Sequence, residues 1–257
     1  MTPRRSTSPR STSPRSTSPR LDPEARAGLR LTLLLAGVVA LGVLVLPLAV
    51  LVRDRWSPLV ALDTDLGAAA HLLVLRQDWL LQAARGLTQL GAPLAVELLG
   101  GALALALLLK GYRRSALYLV VCVAGGYLLS TLGKTAVARA RPVFPVAVSH
   151  AQGKSFPSGH ATGAATFWLS LAVLAAPRVG ARRRRWLIGG ALLLGVVVAS
   201  TRVLLGVHYL SDVTAGLLLG WGWVLACTAV FATWRTDEGD SGEVLEEGLE
   251  EEAEPGR

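Results

Sequence analysis

Cysteine is nearly absent, and so is any cluster of metal ligands. The 257 residues hold two cysteines, Cys122 and Cys227, each inside an apolar run. No disulfide can be argued from those positions, and both read as small core hydrophobes. There is no H-E-x-x-H pair, no Walker-type glycine loop and no G-x-S-x-G elbow, which disfavours a zinc hydrolase, a P-loop enzyme and an ordinary serine hydrolase. Charged residues are sparse too, at 17% against 52% hydrophobic. With a mean hydropathy of +0.47, this composition belongs to an integral membrane protein of one compact domain.

The charge that is present is lopsided, with 26 Lys and Arg against 18 Asp and Glu and a net charge of +8. A basic chain invites a nucleic-acid reading, but the cations are not gathered on one stretch. They sit in short clusters between apolar runs, at Arg4 to Arg20, Lys110 to Arg114 and Arg182 to Arg185, which is how topology determinants are spaced. No nucleic-acid partner is expected.

Residues 1–28 open with three copies of Arg-Ser-Thr-Ser-Pro, a pattern too polar to offset its ordering entropy, and read as a disordered tail. They contain no apolar core before a small-residue cleavage site, so the first apolar run reads as a retained anchor. Residues 236–257 are acidic and glycine-interrupted, and read as a solvated, disordered tail. Between the tails, residues 29–235 carry six candidate spans: Leu31 to Val52, Pro93 to Leu109, Ser115 to Leu132, Gly159 to Ala176, Trp186 to Ala199 and Val213 to Trp234. Leucine-rich Leu66 to Leu90 is broken by His71, Arg76, Gln77, Asp78, Gln82 and Arg85, and is expected to be one amphipathic helix at the outer interface. The fold class is thus all-α, a six-helix membrane bundle with an interfacial helix between spans one and two. The positive-inside tendency puts both termini in the cytoplasm of a plasma-membrane protein, with the arginine-rich loops on the same side.

A charge at the centre of a membrane helix costs about 2.5–3.5 kcal/mol on insertion scales, so the placement of the remaining polar residues carries information. In this topology Lys134 and Arg141 leave span three on the outer side, Ser158, Gly159 and His160 begin span four there, Arg202 ends span five there, and His208 and Asp212 begin span six. Four helix ends, spread from Lys134 to Asp212, share one level. Lys134, Arg141 and Arg202 are cationic donors, the arginines with a fork that matches phosphate oxygens. Ser158 and Gly159 stand at a helix N-terminus, where free N–H groups favour an anion. His208 and Asp212, four apart, share a helix face, so the carboxylate can hold one ring nitrogen and leave the other as a nucleophile. His160 can give a proton to a leaving oxygen.

These residues carry a resemblance. Lys134-Thr-Ala-Val-Ala-Arg-Ala-Arg141-Pro142 is similar to K-x6-RP, Pro157-Ser158-Gly159-His160 to PSGH, and Arg202 to Asp212 to R-x5-H-x3-D, the three ordered motifs of the type 2 phosphatidic acid phosphatase (PAP2) superfamily. The third motif commonly opens Ser-Arg, whereas Thr201 precedes Arg202 here and keeps a hydroxyl. The resemblance implies a metal-independent lipid phosphatase without a cofactor. His208 would form a phosphohistidine with Asp212 orienting its ring, and His160 would protonate the leaving group. Lys134, Arg141, Ser158, Gly159 and Arg202 would hold the phosphate. The implied substrate is a lipid phosphate or pyrophosphate (an isoprenoid pyrophosphate, phosphatidic acid or phosphatidylglycerol phosphate) reached among membrane lipids from the outer side.

Other polar residues invite plainer readings. His71 and His150 read as solvated loop histidines, His150 near the rim of the site. Glu97 is expected to pair with a motif cation, Arg139 to be an interface anchor or headgroup contact, and Trp56, Trp79, Trp186 and Trp234 to form an aromatic belt. Two rival functions are an intramembrane serine hydrolase using Ser158, which leaves the three cations unexplained, and an anion or lipid transporter or scaffold without catalysis. A transporter is expected to hold its polar site near the bilayer midplane, whereas these residues share one face.

Overall fold

A computed structural model describes residues 23–253, with side chains described mainly between 31 and 232. Eight α-helices account for the described chain: α1 (Pro23–Arg53), α2 (Ser57–Leu75), α3 (Asp78–Leu87), α4 (Pro93–Leu109), α5 (Arg113–Val137), α6 (Gly159–Ala175), α7 (Ala181–Leu204) and α8 (Leu210–Ala253). Among these residues there are no strands. The Arg-Ser-Thr-Ser-Pro repeats lie outside the described residues, and helix α1 already begins at Pro23, inside the segment read as a tail. The acidic stretch after the last span follows it in the same helix, which reaches Ala253; its glutamates favour helical backbone.

Helix α6 is the hub, packed on α4, α5, α7 and α8. Half of its span is buried, against 11% for α1, which touches mainly α8. Two apolar clusters fill the bundle: Val96, Ala104, Leu119, Val123 and Phe167 between α4, α5 and α6, and Tyr118, Cys122, Leu169, Val224 and Cys227 between α5, α6 and α8. Both cysteines are buried and free. Leu35, Val39, Val43, Leu94, Leu105, Leu128 and Leu193 are exposed on the outside of the bundle, where only a hydrocarbon surround removes them from water.

Lipid supplies little hydrophobic drive between helices, so close backbone approach at small residues has to hold such a bundle together. Helices α6 and α8 meet in this way. A Cβ on Gly216 would stand 2.7 Å from the Ser158 carbonyl and 2.9 Å from the Ala161 Cβ, and one on Gly220 would stand 2.6 Å from the Ala165 Cβ. The facing stretch of α6, Gly-His-Ala-Thr-Gly-Ala-Ala-Thr, is correspondingly small.

Six helices are long and apolar enough to cross a membrane: Leu31–Arg53 of α1, α2, α5, Gly159–Arg178, α7 and Leu210–Ala232 of α8. The expected second span, α4, has 17 residues and qualifies only together with Asp78–Gly91 across a 43° bend. The expected single helix Leu66 to Leu90 is two helices, broken at Arg76 and Gln77, and α2 extends back to Ser57.

The contacts of α2 and α3 all fall at one end of the bundle. Leu59 packs with Val137, Phe156 and Ala215, and Asp63 meets Ser211. His71 bonds the Val146 carbonyl at 2.8 Å, and Leu81 and Ala84 pack under Leu205 and Val207. The end of α1, through Val52, and the turn before α4, through Gly91, reach the same level. Helices α2 and α3 therefore lie across that end as a cap. The Lys110–Arg113 turn and the Arg178–Arg185 stretch lie at the opposite end.

Replacing Gly220 by Val forces a side chain into the α6–α8 contact and is expected to destabilise the bundle by about 1–3 kcal/mol, read as a lower thermal midpoint in detergent. Gly189→Ala, at a position with nothing within 4 Å, is expected to leave the midpoint unchanged.

Candidate active site

The site lies under the cap, where α5 ends, α6 begins, α7 ends and α8 begins. Ser158 is the N-cap of α6. Its hydroxyl accepts from the Ala161 N–H at 3.5 Å and its own N–H donates to the Asp212 carbonyl at 3.0 Å, so the start of α6 is tied to the first turn of α8. At that first turn the Asp212 carboxylate accepts from the Tyr209 N–H at 2.9 Å, which caps α8 as the acidic half of a capping box does. Helix α5 closes through Ala138 in the left-handed region (φ +53°) with its N–H on the Lys134 carbonyl. The chain then runs on without regular structure and delivers Arg139 and Arg141 to opposite sides of His208.

One cavity of about 560 Å³ is lined by Lys134, Arg141, Gly159, His160, Arg202 and His208, with Arg85, Thr88, Gln89, His150 and Gln152 toward its outer part. Six of the eight residues singled out in the sequence thus share a wall. Ser158 and Asp212, both 0% exposed, stand behind it. The Ser158 hydroxyl accepts the cap bond and its N–H is taken by the Asp212 carbonyl, so the hydroxyl hydrogen is the donor this residue has left. Gly159 has a steric reason: the Lys134 ammonium lies 3.2 Å from where a Cβ would stand.

The hydrogen bonds of His208 fix its tautomer. An Arg141 Nη1 lies 3.0 Å from Nε2, and guanidinium nitrogens only donate, so Nε2 carries the lone pair and Nδ1 the proton. Nδ1 faces the Asp212 carboxylate at 3.4 Å, too long for a formed hydrogen bond, and it has no other partner. Catalytic contacts of this kind commonly tighten only when substrate binds. Arg141 is held by the carbonyls of Val207, Gln152, Gly153 and Lys154 at 2.8–3.2 Å. Arg202, 5% exposed, donates to the Thr88 hydroxyl at 2.9 Å, and its Nε has no partner. Burial, reinforced by Arg141 and Arg202, pushes the His208 imidazole from its ordinary 6.5 down to about 4 against the pull of Asp212.

Several sequence expectations change here. His71 is buried rather than solvated, its ring stacked on Phe144 at 4.3 Å. His150 does line the cavity. Among the described residues Glu97 has no ion-pair partner: its buried Oε1 is unpaired and it lines a small cavity with Ser130 and Lys134. Arg139 is no surface anchor. It donates to Asp212 at 2.8 Å, to Asp63 of α2 at 2.8 Å and to the Ser211 hydroxyl at 2.7 Å, and lies 3.9 Å over the Tyr209 ring. Burial opposes its charge, but Asp212 and Asp63 outweigh that and hold the guanidinium above its usual range. The sequence reading does not single out Asp63, Ser211 or Tyr209; the available signal was the pair Asp63 and Asp65 directly after the apolar run Leu59–Val60–Ala61–Leu62, of which Asp63 is the buried one.

Nitrogen-detected NMR of His208 is expected to show the neutral, Nδ1-protonated ring throughout pH 5.5–8 and half-protonation near pH 4. Because His208 is depressed, protonation is confined to acid: Arg141→Ala removes a neighbouring cation and moves the midpoint up, and Asp212→Asn removes an anion and moves it down.

A PAP2 superfamily model matches residues 115–236, which contain all three motifs. The chain is 38% identical over 141 residues to a lipid A 1-phosphatase of Rhizobium etli, covering 48% of this chain and 56% of that protein, so it spans little more than half the length of this relative. It is 31% identical over 169 residues to phosphatidylglycerophosphatase B of Bacillus subtilis, covering 62% of this chain and 78% of the relative. Among solved structures, the transmembrane PAP2-type phosphatidylglycerolphosphate phosphatase of Bacillus subtilis superposes with a TM-score of 0.59 at 26% identity, covering 82% of this chain and 96% of that one. With its motif order, its helical architecture and a relative matched over most of its length, this chain belongs to the PAP2 superfamily.

Proposed function

We propose that this protein is a membrane phosphatase that hydrolyses a lipid phosphate or diphosphate through a phosphohistidine on His208. The observation that carries this reading is the Arg141 contact on Nε2: the nucleophilic lone pair faces a cavity that also gathers Lys134, Arg202 and the N-terminus of α6. A phosphoryl group entering there takes over Arg141 and fills the open Nε of Arg202. Nε2 attacks phosphorus, the bond to the leaving oxygen breaks, and His160 protonates that oxygen. Asp212 draws closer to the Nδ1 proton as the ring becomes positive. A water then attacks the phosphohistidine, passes its proton to His160 and releases phosphate and neutral His208. The cations and helix N-terminus stabilise charge that spreads over the phosphoryl oxygens, the main lever in such reactions. Clustered cations also make the cavity unfavourable for a divalent metal.

The lining supports a head bearing two phosphoryl groups. Lys134, Arg141, Arg202 and Arg85 supply cationic donors and no carboxylate lines the cavity, an excess over what one dianionic monoester neutralises. The reacting phosphoryl belongs at His208, and the second group meets Arg85, Gln89, His150 and Gln152. An isoprenoid diphosphate and phosphatidylglycerol phosphate fit this demand better than phosphatidic acid. The phosphatase names of the Rhizobium and Bacillus relatives agree with a phosphorylated lipid head.

For membrane placement, the reading is a plasma-membrane protein with the arginine-rich end of the bundle in the cytoplasm, both termini there, and the site outward, supported by the position of Lys110 to Arg114 and Arg182 to Arg185 at the far end. Helices α2 and α3 lie along the outer interface. They turn Leu62, Leu66, Leu72, Leu73 and Trp79 outward, and Asp63 and His71 inward.

Purified protein in excess EDTA is expected to release phosphate from a lipid diphosphate and to be inhibited by vanadate, and His208→Ala is expected to lower kcat by at least about 1000-fold. A strict requirement for added Mg2+, or wild-type kcat in His208→Ala, overturns the proposal. Arg85→Ala is expected to raise KM for a lipid diphosphate by about tenfold, the loss of some 1.4 kcal/mol of binding, and to change KM for the corresponding monophosphate far less.

A further inference from the structure

Behind His208 lies a buried charge arrangement that the three motifs do not account for. Asp63, on the capping helix α2 and 0% exposed, accepts from the Ser211 N–H at 2.9 Å, from the Ser211 hydroxyl, and from Arg139 at 2.8 Å. The other Nη of Arg139 holds Asp212 at 2.8 Å. Asp63 lies outside residues 115–236, the part matched by the family model, and it does not line the cavity.

We propose that Asp63 is a positioning residue for the reaction, acting through Arg139 to keep the charge of Asp212 available to His208. The inference rests on the phosphohistidine reading. Two carboxylates and one guanidinium leave one net negative charge behind a neutral imidazole, and that surplus matches the positive ring that forms when Nε2 takes up phosphorus. Without Asp63, Arg139 would pair with Asp212 alone, the surplus would vanish, and the positive ring would face a neutral pair in a low-dielectric site. Ser211 fixes the geometry: it follows α8's first residue, so its two bonds to Asp63 lock the capping helix to the turn that carries His208 and Asp212.

The near-isosteric Asp63→Asn is expected to lower kcat by about 10- to 100-fold with KM nearly unchanged, because Asp63 touches no substrate, and to weaken inhibition by vanadate, whose five-coordinate adduct on Nε2 needs the same positive ring. A purely structural role would instead lower the thermal midpoint and raise KM with it. The charge argument makes a sharper demand: the double variant Asp63→Asn/Arg139→Gln restores one negative charge behind His208 and is expected to recover kcat to within about tenfold of wild type. Wild-type kcat in Asp63→Asn, or a folded double variant no more active than the Asp63→Asn single, overturns the inference. If Asp63→Asn does not accumulate as folded protein, the double variant alone decides: folded and within tenfold of wild type supports it, folded and as slow as His208→Ala overturns it. A His208→Ala enzyme that keeps its activity sinks the phosphatase reading itself, whereas inactive His208→Ala beside unimpaired Asp63→Asn sinks only the role of Asp63.

Discussion

The hydrogen bond from the Ser158 N–H to the Asp212 carbonyl, 3.0 Å long, is the contact on which the rest of the site depends. It joins two backbones, so it can form only where two helices approach without side chains between them. Gly216, one turn along α8, provides that space against the Ser158 carbonyl, and Gly220 repeats it one turn further on. Because no rotamer enters the bond, it fixes the start of α6 relative to the start of α8 more tightly than side-chain packing could. Gly159 and His160 are thereby set against His208, although some fifty residues separate them. Small-residue packing also explains why α6, the most buried helix of the bundle, is built so heavily from Ala, Gly, Thr and Ser.

Around His208 charge is segregated. Lys134, Arg141 and Arg202 stand on the cavity side of the ring, and Asp212, Arg139 and Asp63 stand behind it. At an effective dielectric of about 20, two unit charges 4 Å apart interact by about 4 kcal/mol, so the ring lies between two fields that each bear on its proton. With the cavity empty, burial and the cations prevail and the ring is neutral. An anionic phosphoryl group cancels the cationic field, leaving the field of the carboxylates, which favours a positive ring. On the mechanism proposed above, substrate charge turns the site from one that keeps the His208 lone pair free into one that stabilises a positive ring.

Much of this was legible in the sequence because it is local. Lys134, Arg141, Gly159, His160, Arg202 and His208 stand at fixed spacings beside helix ends, and apolar runs of span length locate five of the six expected helices closely. Pairings across the fold were not legible. Nothing near Arg139 in sequence says that its partners are Asp212, 73 residues on, and Asp63, 76 residues back. Ser158 stands at a helix start, which needs a cap, and its hydroxyl accepts from the Ala161 N–H while keeping its own hydrogen to donate. His71 read as solvated because its neighbours in sequence are mixed, while the residues that bury it, Phe144 and Gly206, belong to distant loops.

Helix α2 shows why length and apolarity do not decide whether a helix spans. It passes both tests, yet the helices on either side of the cap meet it at the same end of the bundle. Segment 54–92 can therefore cross an even number of times only, and contacts confined to one level leave none. Such a helix has to be apolar on its outer side, where it meets lipid, and to meet polar groups on its inner side: the first turn of α8, Arg139 beyond α5 and the Val146 carbonyl. The second demand explains a fully buried aspartate in a leucine-rich run. Asp63 receives an N–H from the first turn of α8, a donor that helix geometry leaves without an intrahelical partner. By receiving it, the cap becomes part of the support for Asp212 rather than a cover laid over a finished site.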